Sequence, residues 1–68
     1  MEETVLLPRL RGLRLVNALS QRALGERAGV NPRTIMSVEG GRQARIFTAR
    51  KLADALGLEP KDLMEKQS

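Results

Sequence analysis

Apolar residues recur along this chain at helical rather than strand spacing. Leu6, Leu10 and Leu13 follow one another three or four positions apart, with Arg9, Arg11 and Arg14 on other faces, and predict a first helix from Pro8 to about Asn17. Pro8 suits a first turn and would damage a helix interior. A second helix is predicted from Gln21 to Ala28, where the Ser20 hydroxyl can accept a bond from an unpaired backbone N–H of the first turn. Gly29 ends it, since glycine adopts a left-handed conformation at little cost. Asn31 then caps a third helix, Pro32 fits its first position, and Gly40-Gly41 close it. Leu24, Ala28, Ile35 and Val38 form the buried stripe of this pair. A fourth helix is predicted from Phe47 to Leu56, with Leu52, Ala53 and Leu56 inward and Gly57 as its cap. Pro60 opens a short fifth helix through Met64, and Glu65 to Ser68 are expected to fray. Alternation of apolar and polar residues never persists over a strand's length, so no strand is predicted. The expectation is an all-α, compact five-helix domain.

Gly25 stands out because it lies within the second helix, where it costs about 1 kcal/mol relative to alanine. Its presence suggests a close approach by another helix, the alternative being that it is simply tolerated. The second and third helices, joined by a tight glycine turn, have the form of a helix-turn-helix, whose second helix enters the DNA major groove.

Composition narrows the picture further. The 68 residues make a single domain, 1–68 with a core of about 8–64, near the lower size at which a chain buries enough surface, roughly 60% of the unfolded total, to fold alone. Phe47 is the one aromatic, so the core is aliphatic; with no Cys, no disulfide can staple it. His and Tyr are also missing, and neither a glycine-rich phosphate loop nor a pocketed acid pair is evident. That argues against an enzyme, a metal site or a cofactor. The start, MEETVLLPRL, lacks the basic and apolar regions of a secretory signal. Nothing approaches the ~20 apolar residues of a membrane span, so a cytoplasmic protein is expected.

Charge is distributed unevenly. Between Arg9 and Lys51 ten basic residues stand against Glu26 and Glu39, a balance of +8, whereas residues 1–8 and 52–68 each carry −2. A basic block over the helix-turn-helix suits a polyanion, although it is also compatible with a solvated arginine-rich surface.

Base edges in this architecture are read from the start of the third helix. Asn31, Arg33, Thr34, Met36 and Ser37 are the candidates there. Arg33 can donate two bonds to the O6 and N7 acceptors of guanine or clamp a phosphate. Asn31 has its capping role as an alternative. Thr34 can offer a methyl to thymine or a hydroxyl to phosphate. Met36 either contacts thymine or fills a gap beside the core. Backbone candidates are Gln21, at a helix N-terminus that favours phosphate but open to a second capping role, and Arg22, Arg42 and Arg45, the last able to enter the minor groove.

The Leu19-Ser20-Gln21 entry, Leu24, Gly29-Val30, Thr34-Ile35, Val38-Glu39, Gly41 and the run from Leu52 to Leu58 together resemble the lambda-repressor-like, or Xre-type, family of helix-turn-helix regulators over roughly Leu10 to Leu63. The chain departs from the usual pattern at Ala18, where glycine is common, at Ala28, where a larger aliphatic is, and in a slightly short link from Gly41 to Ile46. The resemblance implies a phosphate contact for Gln21 and a partly buried ion pair between Arg14 and Glu39, the alternative being a Glu39 exposed at the end of its helix. It also implies a prokaryotic homodimeric transcription regulator on a two-fold symmetric double-stranded operator, nucleoid-associated when bound, without a small-molecule effector in this domain. Leu58, Leu63 and Met64 are the expected dimer surface. Restriction–modification controllers, antitoxins and protein-interaction modules that kept the fold are the alternatives.

Overall fold

Local capping chemistry sets the limits of the helices. The computed structural model describes residues 3–64, among which the elements run β1 (Thr4–Val5), α1 (Leu10–Val16), α2 (Gln21–Ala28), α3 (Pro32–Glu39), β2 (Ala44–Arg45), α4 (Ile46–Ala55) and α5 (Pro60–Met64). Ser20 Oγ accepts from the Ala23 N–H and Asn31 Oδ1 from the Arg33 N–H, each at 2.9 Å, so α2 and α3 begin at the expected residues. Asp62 Oδ2 reaches back to the Glu59 N–H at 2.9 Å and starts α5.

Four helices end in the same way. The residue that follows the left-handed one donates back to a carbonyl five positions upstream: Leu19 to Arg14, Val30 to Gly25, Arg42 to Ser37 and Leu58 to Ala53. That geometry needs a left-handed residue in between. Gly29 (φ 72), Gly41 (φ 108) and Gly57 (φ 71) supply it after α2, α3 and α4, but after α1 it is Ala18, at φ 56.

The all-α expectation holds in outline, with two adjustments. The first helix starts two residues late because Pro8 and Arg9 form a turn instead, and the fourth is displaced by one residue to Ile46–Ala55. The prediction of no strand is corrected by β1 and β2, which pair antiparallel with Thr4 opposite Arg45 and Val5 opposite Ala44. Two residues per strand are too few to show alternation; their pairing is nonlocal.

The turn at Pro8 also changes the buried face. Leu7, not Leu6, enters the core: Leu7 is 2% exposed and Leu6 48%. The packed region therefore begins before residue 8. Leu10, Leu24, Ile35, Leu52 and Leu63 are its largest fully buried side chains, with Val38, Ala44, Ala49 and Ala53 among them. Ala28 and Leu56 are half-buried at its edge. The central helix is α4, packed against α2, α5 and both strands; its fully buried Ala49 and Ala53 leave room for that approach.

Leu63 cannot form part of a dimer surface, because it lies fully inside the core. Leu58 and Met64 are half-buried. The reason is a clasp between the two ends of the fold: the Arg9 N–H donates to the Leu63 carbonyl at 3.1 Å, and its guanidinium to the Asp62 carbonyl at 3.2 Å. These satisfy carbonyls that the end of α5 would otherwise leave open.

Candidate nucleic-acid interface

Burial divides α3 into two faces. Ile35 and Val38 point into the core, and Pro32, Arg33, Thr34, Met36 and Ser37 lie exposed beside the exposed cap residue Asn31. Met36 is 58% exposed, which overturns the reading of it as core filler: it directly follows inward Ile35 and shares the outward side with Arg33, three positions back. Among Asn31–Ser37 no residue is acidic, and Glu39 at the end of the helix is turned inward.

The start of α3 is held against α2 by Gly25. A Cβ at that position would lie 2.5 Å from the Val30 carbonyl oxygen and 3.2 Å from Pro32 Cγ. The close neighbour predicted for Gly25 is thus the turn itself, together with the first residue of α3. This contact sets the angle at which the exposed face of α3 is presented.

A polar cluster fixes the other end of α3. Arg14 Nε donates to Glu39 Oε2 at 2.7 Å and its Nη2 to Oε1 at 3.0 Å, while Nη1 donates to the Leu19 carbonyl at 2.8 Å. The pair is nearly sealed from solvent, with side-chain exposures of 9% and 5%. Burial pushes the Glu39 carboxyl up and is the largest single influence. The hydrogen bonds from Arg14 and Gln21, with the charges of Arg14 and Arg11, together outweigh it and hold the group below the usual carboxylate range. The Arg14 guanidinium is held above its ordinary value, chiefly by the hydrogen bond to Glu39, with their attraction adding and burial opposing.

Gln21 belongs to the same cluster. Its Nε2 donates to Glu39 Oε1 at 3.2 Å, so its side chain is oriented by the ion pair, and the capping bond at this helix start comes from Ser20. Arg22 is exposed on α2. Arg42 is exposed in the link after α3, and Arg45 is exposed but lies within β2, directly before α4. The structure therefore gathers Arg14, Gln21 and Glu39 at the α1–α2–α3 junction, and sets Arg42 and Arg45 on a separate segment. The sequence reading missed Thr4, whose hydroxyl donates to Gln43 Oε1 at 2.6 Å. A threonine and a valine side by side favour a strand, but nothing local shows what they pair with.

A family model for the helix-turn-helix domain matches residues 6–67. The chain belongs to this helix-turn-helix family, of the lambda-repressor-like type. No curated protein and no solved structure matches the chain. A helix-turn-helix domain points to DNA as the partner. Among the described residues, no helix is long and apolar enough to cross a membrane and no cluster of acidic side chains could hold a metal ion.

Proposed function

We propose that this helix-turn-helix domain binds double-stranded DNA in a sequence-specific manner, as a small transcriptional regulator whose homodimer sits on a two-fold symmetric operator. The observation that carries the reading is the exposed face of α3, from Asn31 to Ser37, which combines an arginine, hydroxyls, an amide and a thioether without an acid. Arg33 has the fork geometry for guanine, Thr34 and Ser37 have hydroxyls for bases or phosphates, and Met36 has an apolar tip that suits a thymine methyl. Gln21, Arg22, Arg42 and Arg45 are assigned to the sugar-phosphate backbone, where they contribute affinity and register. Asn31 adds a base contact from the residue that also caps the helix. One α3 covers only a few base pairs, and two related by symmetry span half-sites about 34 Å apart. Dimerisation is proposed on that ground.

Selection of bound duplexes from a random pool tests the reading. The expected product is an inverted repeat with a guanine in each half-site. Arg33→Ala then weakens the selected operator by about 1–3 kcal/mol and relaxes preference at that base pair. A pool that fails to enrich removes sequence-specific binding. An equal loss on every duplex moves Arg33 to the phosphates.

A further inference from the structure

The family match begins at residue 6, so Glu3, Thr4 and Val5 precede the shared domain. Even so, they are tied to the arginine-bearing segment that follows α3. Thr4 faces Arg45 and Val5 faces Ala44 in antiparallel register. The Glu3 carbonyl accepts from the Ile46 N–H at 3.0 Å, and the Thr4 hydroxyl spans 39 positions to Gln43 Oε1 at 2.6 Å. Val5 packs against the core that includes Ala44, itself 3% exposed. From Gln43 to Ile46, each residue is thus matched by one of the three N-terminal residues.

The segment so held needs holding. The ending of α3 fixes the chain only as far as Arg42, whose N–H donates to the Ser37 carbonyl. An arginine on a loose segment must be ordered when it meets phosphate, and ordering backbone and side chain subtracts directly from affinity. A segment already laid in a ladder has lost that freedom in folding.

We propose that Glu3–Val5 is a splint for the segment Gln43–Arg45, raising affinity for duplex DNA of any sequence by ordering the backbone that carries Arg45 before DNA arrives. The inference rests on the DNA-binding reading above. Val5 is its principal positioning residue, acting through Arg45. Opposed pairs in an antiparallel ladder alternate between bonded and unbonded; since Ile46 bonds Glu3, the next bonded pair is Val5 with Ala44. Val5→Pro removes that donor, whereas Val5→Ala removes only side-chain packing.

The 68-residue parent, Val5→Pro, Val5→Ala and Thr4→Val are titrated against a fluorescein-labelled duplex of random sequence at several salt concentrations, with circular dichroism melts on each. Val5→Pro, folded at the assay temperature, is expected to bind roughly tenfold more weakly. Its slope of log affinity against log salt becomes shallower by about one as Arg45 disengages. Val5→Ala keeps the parental slope, and Arg45→Ala costs much less in the Val5→Pro background than in the parent. Lost stability alone leaves the slope of the folded protein unchanged. Should Val5→Pro fail to fold, Thr4→Val is read instead: losing an exposed hydroxyl bond, it weakens binding several-fold with a shallower slope. Parental affinity and slope in the folded variant overturn the splint. A parent that binds no duplex overturns the DNA-binding reading itself.

Discussion

Ala18 carries backbone strain that its side chain does nothing to relieve. It is exposed and sits at φ 56 in the turn after α1, where a residue with a Cβ costs roughly 1–2 kcal/mol. Ala18→Gly is therefore expected to stabilise the fold by about 0.5–1 kcal/mol after allowing for the greater freedom of glycine in the unfolded chain, seen as a melting temperature a few degrees higher. Glu39 is the opposite case, a residue whose environment cannot do without it. Removing its carboxylate leaves Arg14 buried and unpaired, so Glu39→Ala should cost about 3–5 kcal/mol and lose helicity well below the parental melting temperature. The same pair gives a pH dependence of definite sign. The folded carboxyl titrates below its unfolded value, so the unfolded state binds the proton first, and the stabilisation is complete above the ordinary glutamate value of about 4.3. It disappears as pH falls through the folded value. Melting temperatures measured down a pH series should fall over that window in the parent, with a flatter acid limb in Glu39→Gln.

The junction of α2 and α3 depends on a missing side chain. Alanine is normally the better helix former by about 1 kcal/mol, but at Gly25 its Cβ would press on a backbone carbonyl 2.5 Å away, and backbone cannot swing aside. Gly25→Ala is expected to destabilise by about 1–3 kcal/mol and, by displacing Val30 and Pro32, to tilt α3 and weaken DNA binding even where the domain stays folded. Calorimetry and binding on one variant separate the two effects. The limits of α2 and α3 were legible in the sequence because Ser20, Gly29, Asn31 and Pro32 act within a few residues of themselves. The β1–β2 pair was not, since its partners are about 40 positions apart and each strand is too short to show a period. Leu6 was taken for Leu7 because helical spacing was continued through the Pro8 turn. Which α3 residues lie outward follows from Ile35 and Val38 alone, whereas the bond from Gln21 to Glu39 needs the three-dimensional meeting of two helices.

For the molecule as a whole, the basic block between Arg9 and Lys51 is expected to govern association with the proposed DNA partner. If six to ten phosphates are neutralised, affinity should fall about 10³–10⁵-fold between 50 and 200 mM salt; a flat dependence measured by anisotropy would exclude DNA as the main partner. Leu63 was misplaced on the proposed dimer surface, because it reads as spare apolar surface until Arg9 is seen to draw α5 onto α1. That clasp also governs the order in which the fold can be completed. The α2–α3 hairpin is local and can form as soon as it is made, but Leu63 is the last fully buried large side chain among the described residues, and its carbonyl is bound by a residue 54 positions earlier. A chain ended at Leu58 should show no cooperative melt. During synthesis the first four helices would therefore wait with a gap where α5 belongs, and the core would seal only once residue 63 has emerged from the ribosome.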